Sequence, residues 1–176
     1  RLRDRAGASV VHCPRSNLKL ANGLCPVADL HRAGINVALG TDGAASNNRL
    51  DMWSELQTAA LVGKLAAGDA AAVTAGQALA MATINGARAL NLADEIGSLA
   101  PGKAADVICI DLSGLEHQPL LDPLSELVYS ASRHDVTDVW IAGEHLLVQR
   151  EMVRLDTAAI SAAAGRWKRR LLEGAT

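Results

Sequence analysis

The chain has 176 residues, 49% of them apolar, and its 17 basic and 19 acidic side chains leave a formal charge of -2. That length allows one domain with a substantial core, or a portion of something larger. A near-neutral chain whose Arg and Lys are scattered, except close to the C-terminus, offers no electrostatic surface to nucleic acid or to a membrane.

The opening "RLRDRAG" reads as the tail of a helix, and the first residue is Arg1, so the chain is expected to begin inside a longer protein. Ser9 to Cys13 (SVVHC) is a β-branched run closed by Pro14, which predicts a short strand leading into a loop. Pro26 to Ala33 has proline at a helix start and Gly34 just past its end. Ile35 to Thr41 (INVALGT) predicts a second buried strand. Strand, loop, helix and strand at this spacing make a βαβ unit, with parallel strands and a right-handed crossover.

A helix is expected from Leu50 to Ala67, with Asp51 and Glu55 in its first turn at the positive end of the dipole. Thr74 to Leu90 is helical in pattern and broken near Asn85-Gly86. The uncharged stretch Ala70 to Ala87 is mostly alanine with Thr, Gln, Asn and Gly among it, so it reads as a buried helix and not as a membrane span. Beyond it the pattern changes to strands: a turn centred on Pro101-Gly102, a strand from Asp106 to Asp111, and two strands in "VTDVWIAGEHLLV" joined at Gly143-Glu144. Thr157 to Leu172 closes the chain as an amphipathic helix with Lys168, Arg169 and Arg170 in its last turn. Two parallel strands do not make a stable sheet alone, so the chain is expected to lack part of its own fold.

In parallel α/β proteins the chemistry sits at the carboxyl ends of the strands. Two such ends are visible, His12-Cys13-Pro14-Arg15-Ser16-Asn17 and Thr41-Asp42-Gly43. Asp42 has two readings, a turn or N-cap residue on one side and a metal ligand or proton acceptor on the other. Gly40 and Gly43 would let backbone approach closely, and the helix starts too far on for Asp42 to cap it directly. His31, His117, His134 and His145 show no ligand spacing and read as surface residues. Cys13, Cys25 and Cys109 form neither a CxxC pair nor an even set; a reducing compartment, and from it a cytoplasmic location, is the expectation. Cys13 and Cys25 have no base suggested beside them and read as buried thiols.

Four ordered segments, "VVHCPRSNLKLANGLCPV", "VALGTDGAASNNRLDM", "ATINGARAL" and "EIGSLAPGKAADV", resemble the C-terminal part of the amidohydrolase superfamily. Within it they are most similar to the branch of methylthioadenosine/S-adenosylhomocysteine deaminases and triazine hydrolases. The resemblance implies an α/β fold: strands 7 and 8 of a (β/α)8 metal-dependent hydrolase barrel with their helices, plus strands of a small β-sandwich domain. Residues 1-95 would hold the last two βα units and the following helices, 96-155 the β-sandwich segment with a connecting helix, and 156-176 the C-terminal helix.

The resemblance further implies one divalent metal, most often Zn2+, held by three upstream histidines that this sequence does not contain and by an aspartate at the end of strand 8, which by motif is Asp42. Asp42 would also accept a proton from the attacking water. His12 follows strand 7 and is implied as a site-wall residue in contact with substrate or as a structural residue, not as a metal ligand. Ser16 and Asn17 are expected to tie their loop to backbone, with Asn17, Ala45 and Ser46 near the substrate; Lys103 and Asp106 read as structural. The implied activity of the parent enzyme is deamination of a purine-type nucleoside or related heterocycle, with a triazine-type chlorohydrolase as the alternative. The expected partners are the small-molecule heterocycle, the missing N-terminal barrel segment and a possible second copy in a homo-oligomer. With most metal ligands elsewhere, this chain alone is expected to be inactive, and a non-catalytic structural or interaction module is the remaining alternative.

Overall fold

Ser9–His12 forms strand β1 and Asn36–Leu39 forms strand β2, paired in parallel with Ser9 opposite Asn36 and His12 opposite Leu39. The computed structural model describes residues 7–174, so the helix-tail reading of the first six residues lies outside the described part. Val37, Ala38 and Leu39 are all buried, which matches an apolar strand covered on both faces. Between the strands lie two short helices, α1 (Pro14–Lys19) and α2 (Val27–Arg32). The sequence pointed to a loop after Cys13; Pro14 instead occupies the first helical turn, where its missing N–H costs nothing.

Helix α3 (Met52–Ala67) is capped by Asp51, whose side chain accepts from the Trp53 N–H at 3.0 Å. Its spacing puts Leu56, Ala59, Ala60 and Gly63 on one stripe, and these meet Val27, Val37, Val73, Ala78, Met81 and Val128 in the core. Helix α4 (Ala75–Ala82) starts with a capping box between Thr74 and Gln77. The expected break falls at Thr83, not at Asn85-Gly86, and α5 (Ile84–Ala89) follows at once. Asn85 serves instead as a bridge to the strands. Its Nδ2 donates to the Val37 carbonyl at 3.0 Å, while the Asn36 amide donates to the Asn85 carbonyl at 3.0 Å. This exchange pins α5 to the end of the parallel pair.

Gly97 is a point of very close approach. Its φ is +87°, and a Cβ there would sit 2.7 Å from the Ala87 Cβ and 3.0 Å from the Ile84 Cα. Gly97→Ala is expected to destabilise the fold by about 2 kcal/mol or more, through left-handed strain and overpacking together, which a thermal or urea melt would register. Lys103 gathers the turn before it, donating to the Ala93 carbonyl, to the Ile96 carbonyl at 3.3 Å and to Ser98 Oγ at 2.8 Å.

An antiparallel sheet follows in the order β3 (Val107–Ile110), β4 (Val136–Ile141), β5 (Glu144–Val148) and β6 (Glu151–Met152). The β4–β5 hairpin turns at Ala142-Gly143, one residue earlier than expected, with φ of 50° and 78° as a two-residue turn demands. Asp106 Oδ1 accepts from the Ala142 N–H at 2.7 Å and steadies that turn.

Between β3 and β4 runs α6 (Pro123–Tyr129), which packs on α3 and α4. Trp53 Nε1 donates to the Leu127 carbonyl at 2.8 Å and Gln57 Nε2 to the Tyr129 carbonyl at 2.6 Å. The stretch that interrupts the sheet therefore belongs to the helical layer. Helix α7 (Thr157–Glu173) has no buried residue. Among the described residues no helix is long and apolar enough to cross a membrane.

Candidate active site

The backbone leaving β2 is held against β1. The Gly40 N–H donates to the His12 carbonyl at 3.0 Å, and a Cβ on Gly40 would lie 2.9 Å from Val11 Cγ1 and 3.3 Å from Cys13 Sγ. Two residues later Asp42 takes φ of +60°. Aspartate tolerates this left-handed conformation better than most residues, at a cost of about 1 kcal/mol, and strained positions of this kind cluster at functional sites.

Three donors converge on the exposed Asp42 carboxylate. Ser16 Oγ and Ser46 Oγ each donate to Oδ2 at 2.6 Å, and the Gly43 N–H donates to Oδ1 at 2.8 Å. These bonds, the one from Ser16 first, pull its pKa down to about 2. Because the folded-state value is depressed, the advantage of the charged form is complete above the ordinary carboxylate range and vanishes as pH falls through about 2. Replacing Ser16 by alanine is expected to raise the Asp42 midpoint towards 3.8, its ordinary value, as followed by carboxyl-carbon NMR. An unchanged midpoint would mean that Ser16 does not hold the carboxylate.

Below this loop lies a group the sequence did not assign to the site. Glu55 is fully buried. Its Oε1 accepts from Asn47 Nδ2 at 2.7 Å and its Oε2 from the Arg15 N–H at 3.1 Å, with the Arg15 guanidinium 4.0 Å away. Asn47 Nδ2 also donates to the Thr41 carbonyl at 2.8 Å, one residue before Asp42. Burial raises the Glu55 pKa, and the Arg15 and Asn47 bonds oppose that rise. Its place in the first turn of α3 suits the helix dipole, and its position beside the apolar stripe of α3 is the sequence signal that it faces inward.

The other site residues fall as follows. His12 is buried at the end of β1, its Nδ1 has no hydrogen-bond partner among the described residues, and burial lowers its pKa, so the ring is neutral. Ser16 was expected to bond backbone; its hydroxyl reaches instead across to Asp42, because α1 carries it beside the end of β2. Asn17 is half-buried on α1, and its side chain makes no hydrogen bond among the described residues. The Ala45 carbonyl accepts from Lys19 Nζ at 2.8 Å, and the same ammonium donates to Asn48 Oδ1 at 2.8 Å, so one lysine clips the loop to α1. An open groove of about 420 Å³ lies on this side, bordered by Lys19, Ser46 and Asn48 but not by Asp42.

Cys13 and Cys25 are half-buried rather than buried, and burial pushes both thiols up, at Cys13 with help from the Asp42 and Glu55 charges. Neither is poised as a nucleophile. His134 is exposed as expected, while His31 and His145 are half-buried and His117 is almost wholly buried, which corrects the surface reading for these three. The short 3₁₀ turn that carries His117 packs it under α6, an arrangement its sequence spacing does not reveal.

As a metal ligand the Asp42 carboxylate is chemically suited: it is charged, accessible, oriented by hydrogen bonds from behind, and Oδ1 retains acceptor capacity. It is a single donor, and among the described residues it belongs to no cluster of three metal-ligating side chains. A catalytic zinc needs about three protein ligands.

The chain is 59% identical over 166 residues to a 5-methylthioadenosine/S-adenosylhomocysteine deaminase of Teredinibacter turnerae, covering 94% of this chain and 38% of the relative. It is 51% identical to the enzyme of that name from Moorella thermoacetica, covering 87% of this chain and 36% of the relative. The chain thus spans little more than a third of the length of these relatives. Among solved structures, a zinc-bound adenosine deaminase from Xanthomonas campestris superposes with a TM-score of 0.92 at 57% identity, over 94% of this chain and 38% of that one. The zinc complex of an atrazine chlorohydrolase from Arthrobacter aurescens superposes with a TM-score of 0.86 at 30% identity, over 93% and 36%. The model of the amidohydrolase family matches residues 1–146, and the chain belongs to that family.

Proposed function

We propose that the whole protein is a metal-dependent aminohydrolase, which removes an amino group as ammonia from a purine-type nucleoside or related N-heterocycle of the 5′-methylthioadenosine/S-adenosylhomocysteine class. The observation that carries this reading is Asp42, an ionised carboxylate at the carboxyl end of a parallel strand, fixed by three donors and open on one side. The high identity to enzymes named for that deamination supports it. In this reading β1 and β2 are strands 7 and 8 of a (β/α)8 barrel, the antiparallel sheet belongs to a small β-sandwich, and the remaining metal ligands come from the part of the relatives' length that this chain does not span.

Asp42 supplies one ligand to a single divalent ion, Zn2+ by the precedent of the solved relatives. Such an ion, when bound, supplies Lewis acidity and lowers the pKa of water to roughly 7. Ser16 and Ser46 hold the carboxylate charged and oriented. A carboxyl with a pKa of about 2 is a weak base, so Asp42 accepts a proton only when one hydroxyl turns away from Oδ2. Neutral His12 forms part of the site wall, and Asn17, Ala45 and Ser46 lie on the substrate side.

A second reading, a triazine-type chlorohydrolase, is favoured by the superposition on the atrazine enzyme. One assay separates the two. The whole protein, supplied with zinc, is given S-adenosylhomocysteine and, separately, a chlorotriazine. Ammonia from the first supports deamination; chloride from the second without ammonia from the first overturns it.

A further inference from the structure

Away from Asp42, the 3₁₀ turn Leu115–His117, the helix α6 and a second 3₁₀ turn, Arg133–Asp135, bring one imidazole and three carboxylates together. His117 is 2% exposed. Its Nδ1 lies 2.9 Å from Glu126 Oε1, while its Nε2 is buried, has no hydrogen-bond partner among the described residues and points towards Asp135 Oδ1, 3.8 Å away. Buried polar atoms are nearly always satisfied, so a lone ring nitrogen facing carboxylates calls for a ligand.

The surroundings are arranged around that nitrogen. Asp135 has its Oδ2 engaged by the Ser132 N–H at 2.7 Å and Ser132 Oγ at 3.0 Å, which fixes the carboxylate and leaves Oδ1 facing the ring. Glu116 folds back over Gly114, where a Cβ would come within 2.7 Å of Glu116 Oε2, so the glycine makes room for the carboxylate. One donor atom each from Glu116, His117 and Asp135 lie within 4.8 Å of one another.

We propose that His117 Nε2, Asp135 and Glu116 form a second metal site, for a divalent transition ion of the zinc class. Two donors on one tetrahedral zinc are about 3.4 Å apart, close to the separation of His117 Nε2 from Asp135 Oδ1. Imidazole with carboxylates suits zinc-class ions better than calcium or magnesium, which take oxygen ligands. Glu126 completes the arrangement from behind: by accepting the Nδ1 proton it orients the ring and leaves the Nε2 lone pair free, the outer-shell device of many histidine-ligated metals. The exposed side, at Glu116, leaves a coordination position for water. Because the ligands come from segments on either side of α6, the ion would clip the start of β4 to the loop that follows β3. The competing state of the cluster is a protonated ring held by the same carboxylates, which needs no metal.

The test is zinc content of the whole protein after equilibration with micromolar zinc and removal of the excess, compared between variants by elemental analysis. His117→Gln is expected to bind one zinc equivalent fewer than the parent, and Asp42→Asn to keep that equivalent. Glu116→Gln changes an exposed residue that acts on the buried His117 ring through its charge and not through a hydrogen bond, so it reports even if His117→Gln fails to fold. It is expected to weaken binding at this site at least about ten-fold, with an unchanged melting temperature in chelator. Equal zinc content and affinity in the parent and in Glu116→Gln, or no loss in a folded His117→Gln, overturns the proposal and leaves the cluster as a metal-free histidinium clamp.

Discussion

Asp42→Asn in the whole protein is expected to lower kcat/KM for ammonia release by about 10³-fold or more while leaving the fold intact. The substitution keeps shape and removes charge. The strand pairing does not depend on that charge, since the backbone around it is held by the Gly40–His12 bond and by Asn47; only the tethers from Ser16, Ser46 and Gly43 weaken. What is lost is a charged metal donor and a proton acceptor, and general acid–base catalysis alone contributes about 10²- to 10⁴-fold. Asparagine would also face Ser16 and Ser46 with a weaker acceptor or with its own N–H. Zinc affinity should fall alongside the rate, and metal analysis of the same sample separates a lost ligand from a lost base. A variant with full activity would remove Asp42 from the site.

The second large effect concerns stability. Glu55→Ala is expected to destabilise the protein by about 3 kcal/mol, read as a lowered urea midpoint with an unchanged slope. The alanine leaves the Arg15 N–H without its acceptor and removes one of the two that Asn47 Nδ2 uses, in a place no solvent reaches. Each lost bond of this kind costs about 1–3 kcal/mol, and a small cavity adds to it. The effect should travel to the site as well. Asn47 holds the Thr41 carbonyl, so loosening it frees the turn on which Asp42 sits. A variant of near-parental stability would show that Glu55 is a tolerated buried charge and not the anchor of the loop.

Much of this architecture was legible in the order of residues. The alternation of apolar runs with Pro, Gly and Asp marked the two parallel strands, the long helix α3 and the later hairpin, because strand and helix periods and turn chemistry are local properties. The position of Asp42 at a strand end was legible for the same reason. The misplacements were local too. The break near Asn85-Gly86 moved to Thr83, because Asn85 is used to bond the Val37 carbonyl and no longer ends a helix. The loop after Cys13 became α1, because the fixed φ of Pro14 and its missing N–H suit the first helical turn as well as they suit a loop.

The sequence by itself determined which segments are strands and helices and where a lone carboxylate leaves a buried strand, since those follow from neighbours along the chain. Only the tertiary structure decided that Ser16, from α1, closes on Asp42, that Glu55 lies sealed beneath the loop, and that His117 is buried among three carboxylates. Those pairings join residues 26, 8, 9 and 18 positions apart across separate elements. Their strength depends on burial and on the meeting of dipoles and charges in space, which no periodicity along the chain encodes.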